Sequence, residues 1–372
     1  MTPAWTRSTQ VTLSQSDFMA RALFHAARGR GRTSPNPLVG AVVVSADGVV
    51  VGQGFHARAG GPHAEVHALG AAGSRARGGT LYCTLEPCAH VGRTGPCAVR
   101  IVEAGISRVV AAVEDPNPLV RGRGFAFLRG HGVGVDVGLG ETTARTLNQP
   151  FFTLMREGRP FVVIKAATSS DGCMAEAPGR RTQLTSGAAN RHAHRVRAEV
   201  DAIGVGVGTI LADDPLLTAR GAYRVRPLVR VIFDRGLRTP PDARVLSTRD
   251  AGPVIIVTTA SDQGRAEVRR GLEARGAEIL VAPDTTLSSA LGCLGARDIS
   301  YLLLEGGAAI HRAAWDEGVA DFVRLYVTPH VLGADGLRFL DGRPFSATGL
   351  FETRIETLGP DVLIEGYVHR PR

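Results

Sequence analysis

The 372 residues fit two domains of ordinary size, and 44% hydrophobic and 21% charged residues with 46 Gly and 21 Pro exclude a collagen, a coiled coil and a disordered tail. No run approaches the ~20 apolar residues of a membrane span and residues 1–18 lack a signal peptide's apolar stretch, so a cytosolic protein without a membrane partner is expected. The net charge of +8 is uneven: residues 1–150 carry 15 Arg against 9 Asp or Glu, the remainder 28 basic against 26 acidic residues, so the first half should prefer anions.

In chain order, Ser16 and Asp17 open a predicted helix over 16–28 that places Phe18, Met19, Ala22, Leu23 and Ala26 on one face. A strand over 39–45 turns at Asp47-Gly48 into another over 49–55, and a helix over 63–72 follows. Then come a strand over 80–85, a helix opened by Pro96, a strand over 108–113, a short helix and a strand over 132–138. This alternation predicts an α/β domain over 1–148. Pro150, Gly158 and Pro160 place a linker at 149–160. A second alternating series fills 161–372, with strands over 161–167, 200–207, 228–234, 253–259, 277–282, 300–305, 321–329 and 361–368, and helices over 186–198, 263–275 and 308–317.

Three of the five cysteines fall within fifteen positions, which is no disulfide framework but suits a metal. His63, Cys88 and Cys97 form the set of three N and S ligands that a catalytic zinc needs, leaving a fourth position for a water whose pKa the metal lowers to ~7. A proline precedes each cysteine, so both sulfurs are expected at helix N-termini, where N–H groups favour a thiolate. Glu65, about 200° round a helix from His63, suits proton transfer better than ligation. Two other zinc readings are weaker. His67 sits four residues after His63, but the acid does not directly follow the first histidine as it does in H-E-x-x-H. A structural site would want four ligands, and Cys83 in a core strand is a poor fourth.

One further fact concerns charge: 42 of the 43 basic residues are arginine, and the one lysine is Lys165. Either the drift to arginine spared it by chance, or a compact ammonium is needed there. It ends a predicted strand, where α/β sheets keep ligands. IGVGVGT (203–209) lacks the third glycine of a dinucleotide loop, and TILADDP (209–215) is not expected to open a helix. YLLLEGGAAI (301–310) reads as a buried strand running through two glycines into a helix whose N–H groups could take a pyrophosphate, or else as a plain tight turn.

The His-x-Glu and Pro-Cys pattern resembles the zinc-dependent cytidine and nucleotide deaminases, with nine positions rather than three between the cysteines in PCAHVGRTGPC (87–97). That spacing, with TSPNPLVGAVVV (33–44), GFHARAGGPHAEVHAL (54–69) and EDPNPLVRGRG (114–124), resembles the deaminase half of the bifunctional riboflavin-biosynthesis deaminase-reductases. The likeness extends to about residue 368. It implies a cytidine-deaminase-like three-layer domain followed by a dihydrofolate-reductase-like α/β domain, with Zn2+ and NADPH as cofactors and a phosphoribosylated pyrimidine as substrate.

Carried over residue by residue, the resemblance makes Glu65 and Lys165 catalytic and adds Asn36 and His56 to the first pocket. A turn asparagine and a surface histidine are the plainer readings of those two. Thr168, Gln183, Thr209, Asp213, Gly307, Ala308, Ala309, Ile310 and His311 would meet the nicotinamide cofactor. Arg181, Arg197, Leu217, Arg220 and Glu305 would surround the phosphorylated sugar. Two positions depart from the family: Arg181 stands where a serine is usual, and Gln183 where a tryptophan would supply a stacking surface.

The anion preference of the first half also fits a nucleic-acid deaminase, but the cysteine spacing, the fused second domain and the lack of a basic and aromatic stripe favour a small substrate and no nucleic acid. A zinc-stabilised binding module is the non-enzymatic alternative, separated by ammonia release. Family members often associate, which leaves a homo-oligomer open.

Overall fold

The first helix of the computed structural model, which describes residues 13–89, 95–259 and 265–371, is started by Ser14. The Ser14 hydroxyl accepts from the Asp17 N–H, and Asp17 accepts in return from the Ser14 N–H at 2.8 Å, a reciprocal cap for α1 (Gln15–Ala27). The chain then divides into two units: residues up to Thr33 with Pro37–Asn148, and Ser34–Asn36 with Gln149 onward.

In the first unit α1 is followed by the hairpin β1 (Gly40–Val44) and β2 (Val50–Phe55), α2 (Ala64–Ala72), β3 (Thr80–Cys83), α3 (Cys97–Glu103), β4 (Arg108–Ala111), α4 (Arg123–Gly130), β5 (Gly134–Val137) and α5 (Glu141–Leu147). Among the described residues the sheet runs β2-β1-β3-β4-β5, antiparallel across its first three strands and parallel across its last three. Every residue of β1 is buried because both faces are covered. A Cβ added at Gly40 would lie 1.9 Å from the Ala22 carbonyl of α1, whereas one at Gly52, opposite Val43, would lie 2.1 Å from the Ala68 carbonyl of α2. Successive residues face opposite ways, so α1 and α2 lie on opposite faces of a three-layer sandwich. The bare backbone of Gly52 and Gly54 lets α2 sit directly on β2, which sets where the start of α2 projects.

The second unit opens with α6 (Gln149–Glu157) and β6 (Phe161–Thr168), then β7 (Cys173–Ala175), α7 (Gly187–Glu199), β8 (Ala202–Gly206), α8 (Val207–Asp213) and β9 (Val229–Phe233). It continues through α9 (Arg244–Ser247), β10 (Val254–Thr259), α10 (Ala266–Ala274), β11 (Ala277–Ala282), α11 (Leu287–Gly295), β12 (Tyr301–Gly306) and α12 (Ala308–Asp316). It ends with β13 (Phe322–Val327), β14 (Leu337–Arg338), β15 (Phe351–Leu358) and β16 (Asp361–Tyr367). Among the described residues nine strands form one sheet, β11-β10-β9-β8-β12-β6-β13-β16-β15, parallel except where β16 pairs with β13 and β15. Alternate residues of β6 feed two cores: Val162, Ile164 and Ala166 pack with Leu302 and Leu304, while Phe161 and Val163 pack with Ile203 and Leu303. Among the described residues no helix is long and apolar enough to cross a membrane.

Several elements differ from their sequence reading. Residues 149–157 are not linker but the amphipathic helix α6, which buries Phe151, Phe152 and Leu154. Pro150 falls in the first turn, where a missing N–H is harmless, and Gly158 leaves the helix with φ 67°. A helix does form at 207–213, contrary to expectation; its seven residues end at Asp214 in the left-handed region (φ 40°), too short to show a period. Helix α11 was not anticipated, and neither was β15, whose residues are exposed except Leu358 and so carry no alternation. Residues 90–94 of the cysteine segment and the first two positions of the predicted helix 263–275 lie outside the described residues.

Candidate active sites

The first site collects at one end of α2 and α3. His63 is the N-cap residue of α2 and Cys97 the first residue of α3, and Cys88 lies on the segment after β3. Their ligand atoms lie within 4.8 Å of one another: His63 Nδ1 is 3.2 Å from Cys97 Sγ and 3.6 Å from Cys88 Sγ. A zinc ion bonded tetrahedrally at ~2.0–2.3 Å holds its donors roughly 3.5 Å apart, so this trio fits. The donor chemistry agrees. The Cys97 thiol, the His63 ring and the Cys97 N–H at 3.4 Å hold the Cys88 thiol down, at about 4, against burial, while the Cys88 sulfur and burial push the Cys97 thiol up. Two such neighbours ionise together only with a cation between them. Cys83 is buried and outside the trio, and His67 is exposed.

The expectation of two sulfurs at helix starts holds for Cys97 alone. Cys88 lies in irregular backbone because the chain there serves a different partner. Glu86 is buried and accepts from the backbone N–H groups of Asp115, Gly122, Gly124 and Phe125, at 2.9–3.3 Å. This clamps residues 114–125 onto Pro87-Cys88 so tightly that a Cβ at Gly124 would lie 1.9 Å from the Pro87 carbonyl. Glu86 was missed by sequence reasoning. An acidic residue two before a ligand cysteine, facing a glycine-rich segment, was the available signal.

Glu65, in the first turn of α2, is 3% exposed, and its Oε2 has no hydrogen-bond partner among the described residues. Burial raises its carboxyl, with His63 opposing. His56 is no surface residue: it is 3% exposed, its Nδ1 lies 3.0 Å from the Pro62 carbonyl, and its ring meets that of His63 edge-on at 5.5 Å. Asn36 is half-buried in the short segment that groups with the second unit.

The second site stands on the central strands of the nine-stranded sheet. Pairing of β12 with β6 aligns Leu303 with Val163, so Glu305 and Lys165 follow on the same face; pairing with β13 aligns Tyr326 with Ala167, also on that face. From α7 above, Arg197 grips Glu305 with two bonds of 2.6 and 2.5 Å and donates to the Thr218 carbonyl at 2.9 Å. Burial would raise the Glu305 carboxyl, but the Arg197 and Lys165 charges outweigh it and hold it at about 2. Burial pushes the Lys165 ammonium down, with Glu305 opposing. Lys165 Nζ lies 5.5 Å from the Tyr326 ring centre, and the Tyr326 hydroxyl is 2.8 Å from His192 Nδ1. His192 and Tyr326 were not anticipated, though both lie on elements that were.

Around this core, Thr168 is buried at the end of β6, and Leu217 is buried with φ 52°. Arg220 is exposed, and its N–H donates to His194 Nδ1. Burial raises the Asp213 carboxyl, and the exposed Arg181 opposes that rise only in part. Gln183 is also exposed, its amide donating to the Thr185 carbonyl at 3.1 Å.

The 307–311 run is narrower as a phosphate cradle than expected. Gly307 N–H donates to Thr209 Oγ1 at 3.0 Å, and the N–H groups of Ile310 and His311 turn back to the Gly307 carbonyl. Only Ala308 and Ala309 keep first-turn N–H groups without an intrahelical acceptor. The His311 side chain is fully buried, with Nε2 3.0 Å from the Leu304 carbonyl and burial lowering the ring to about 4, so it is a neutral core residue. Ala309 and Ile310 line a cavity of about 410 Å³, together with Gly206 and Thr258 near the ends of β8 and β10 and Gly208 at the start of α8. Arg235 and Arg238 also line it. They were missed, although an Arg-x-x-Arg directly after a predicted strand was visible.

Comparison with known proteins follows the same division. Residues 13–113 match the cytidine and deoxycytidylate deaminase zinc-binding region, and residues 160–364 match the RibD C-terminal domain. The chain is 41% identical over 351 residues to the riboflavin biosynthesis protein RibD of Aquifex aeolicus, covering 94% of this chain and 97% of that one. It is 38% identical to RibD of Escherichia coli, covering 93% and 97%. Among solved structures it is similar to Acinetobacter baumannii RibD (TM-score 0.84, 36% identity, covering 95% of this chain and 98% of that one). It is also similar to a Thermotoga maritima diaminohydroxyphosphoribosylaminopyrimidine deaminase/5-amino-6-(5-phosphoribosylamino)uracil reductase (TM-score 0.81, 34% identity, covering 95% and 98%). With a zinc-type deaminase site in one unit, a reductase domain in the other and near full-length relatives, the chain belongs to the RibD family of bifunctional deaminase-reductases of riboflavin biosynthesis.

Proposed function

We propose that the first unit deaminates a diaminopyrimidinone carrying a ribose 5-phosphate, and that the second reduces the ribosyl chain of the resulting aminouracil to ribityl with NADPH. The observation that carries this reading is the buried Glu65, its Oε2 without a partner, beside the His63, Cys88 and Cys97 trio. His63, Cys88 and Cys97 would hold a zinc ion, which would supply the Lewis acidity that lets a water lose a proton near neutral pH. Glu65 takes the proton of that water and passes it to the ring nitrogen and the departing amine, so that ammonia leaves. The edge of His56 packs the His63 ring in place, and His56 orients the pyrimidine.

In the second unit Thr168, Thr209 and Asp213 would hold the nicotinamide side of NADPH, and Ala308, Ala309 and the guanidinium groups of Arg235 and Arg238 at the 410 Å³ cavity would bind its phosphates. Arg197, Leu217, Arg220 and Arg181 surround the sugar phosphate. Glu305, already held by Arg197, favours the charged form of Lys165 on the same sheet face. Lys165 Nζ gives one proton to the ring oxygen of the sugar, so that the ring opens to an iminium that keeps its N–H, and NADPH held there would supply the hydride that turns the anomeric carbon into a CH2 and the iminium into the neutral amine. The ammonium lies 5.5 Å from the Tyr326 ring centre, and its compact charge, unlike a planar guanidinium, can also give up a proton.

The test supplies the diaminopyrimidinone phosphate to zinc-loaded protein and follows ammonia, then loss of NADPH absorbance. Both signals are expected in that order. Glu65→Gln should abolish the first with zinc content unchanged, lowering the rate about 10²–10⁴-fold. Lys165→Arg should abolish only the second. Ammonia without NADPH oxidation in the wild type would refute the reductase half.

A further inference from the structure

Lys165 stands in a row of charges on one face of the nine-stranded sheet, crossing four adjacent strands. Glu305 of β12 flanks it on one side; on the other, Arg324 of β13 is opposite it in register, and Glu365 of β16 is opposite Arg324. Arg197 of α7 takes Glu305 at one end of the row, and at the other end Arg324 lies 2.9 Å from Glu365 with its guanidinium over the Phe322 ring. The neutral His311 of α12 is the further titratable neighbour. Among the described residues Lys165 Nζ itself makes no hydrogen bond or ion pair. The contact it does make is with the face of Tyr326, 5.5 Å from the ring centre, inside the ~6 Å reach of a cation–π attraction.

Tyr326 is fixed at both ends. It is fully buried, and it packs with Ala189 and Ala193 of α7, Leu358 of β15, Leu363 of β16 and Ala167 of β6. Its hydroxyl, at the far end of the side chain, lies 2.8 Å from His192 Nδ1. Burial and the Arg324 charge push the His192 ring down, so at neutral pH it is uncharged and accepts the Tyr326 O–H. A buried tyrosine needs a partner for its hydroxyl, but core packing does not require its face to meet the one ammonium side chain of the protein. We propose that Tyr326, fastened by His192, is a positioning residue for the reductase reaction: its ring face sets where the Lys165 ammonium stands when it gives up its proton. That role rests on the proton transfer proposed above for Lys165.

Because Lys165 is the only lysine of the chain, full-length zinc-loaded protein made with lysine carrying carbon-13 at Cε gives a single NMR signal for this side chain. Its Hε protons are expected upfield of a free lysine through the ring current of Tyr326, with the displacement reduced in Tyr326→Phe and His192→Ala and lost in Tyr326→Leu. The titration midpoint read from the same signal should move to lower pH in Tyr326→Leu, since the ring favours the ammonium as Glu305 does, against Arg197 and Arg324. On already deaminated substrate, kcat for NADPH oxidation should fall about 3- to 30-fold in Tyr326→Leu. It should fall about 2- to 5-fold in Tyr326→Phe and in His192→Ala, and no further in the double variant, because both remove the same bond. KM values and ammonia release should stay as in the wild type. Wild-type kcat in Tyr326→Leu, a higher KM in place of a lower kcat, additive losses in the double variant, or a Lys165 signal without the displacement would each overturn the proposal. Should Tyr326→Leu not fold, the Phe and Ala variants decide it by the same non-additivity. A wild type that oxidises no NADPH would refute the role of Lys165 itself, and the ring-current displacement would still decide whether Tyr326 holds the ammonium.

Discussion

Replacing Glu305 with Gln probes the charge balance of the reductase site most directly. Glu305 is buried, with a side chain 6% exposed, and it is held at about 2 against an ordinary 4.5. At ~1.4 kcal/mol per unit, that displacement corresponds to about 3 kcal/mol of stability. Because the folded value is depressed, this contribution is fully present above pH 4.5 and is lost as the pH falls from 4.5 towards 2. The Glu305→Gln variant leaves Arg197 and Lys165 as neighbouring buried cations, so at pH 7 it should be less stable by about 3 kcal/mol. At pH 3.5, one unit below the ordinary value, the gap should shrink by about 1.4 kcal/mol. Trp315 in α12 reports unfolding of the second unit when Trp5, the other of two tryptophans, is changed to Phe in both proteins. With a urea slope of ~2 kcal/mol/M, the expected difference in midpoint is about 1.5 M at pH 7. Equal midpoints at pH 7, or a gap that does not narrow in acid, would refute the reasoning.

Three other outcomes follow from single features. Gln183→Trp adds a ring at the proposed cofactor site and should lower the KM for NADPH about 3- to 10-fold without altering ammonia release; an unchanged KM would show that this exposed strip does not meet the cofactor. Gly124→Ala places a Cβ 1.9 Å from the Pro87 carbonyl and must displace the turn that carries Cys88, so zinc per chain and ammonia release should fall together, at least ~10-fold, as metal analysis and an ammonia assay would show. Chelation should stop ammonia release while leaving NADPH oxidation on already deaminated substrate intact; loss of both would contradict two independent sites.

What could be read from the sequence depended on how local the physics was. The zinc trio was legible because ligand types and proline placement are printed in short segments, and Cys97 at the start of α3 is the direct product of Pro96. Cys88 was misplaced because its backbone answers to Glu86 and residues 114–125, thirty positions away, which no local pattern reports. The same holds for α6: Pro150 and Gly158 look like linker punctuation, yet they bound a nine-residue helix whose apolar face exists only against the sheet. Strand β15 lies at a sheet edge with seven of its eight residues exposed, so the alternation that betrays a strand was never required of it. His311 sat in a motif read as a cofactor loop, but its helix phase turns the ring into the core.

Lys165 shows the opposite case, in which composition anticipated geometry. Every other basic position in the chain is arginine. At 165 the side chain rises from a central strand, between the Arg197-bound Glu305 and the Tyr326 ring, in a space bounded by strands on both sides. A guanidinium there would want a carboxylate for its fork and room for its plane, and Glu305 is already committed bidentately to Arg197. An ammonium needs neither. It can also give up a proton, which burial makes easier and which arginine does not do. Packing and the proposed proton transfer therefore favour the same residue at the one place where the drift to arginine stopped.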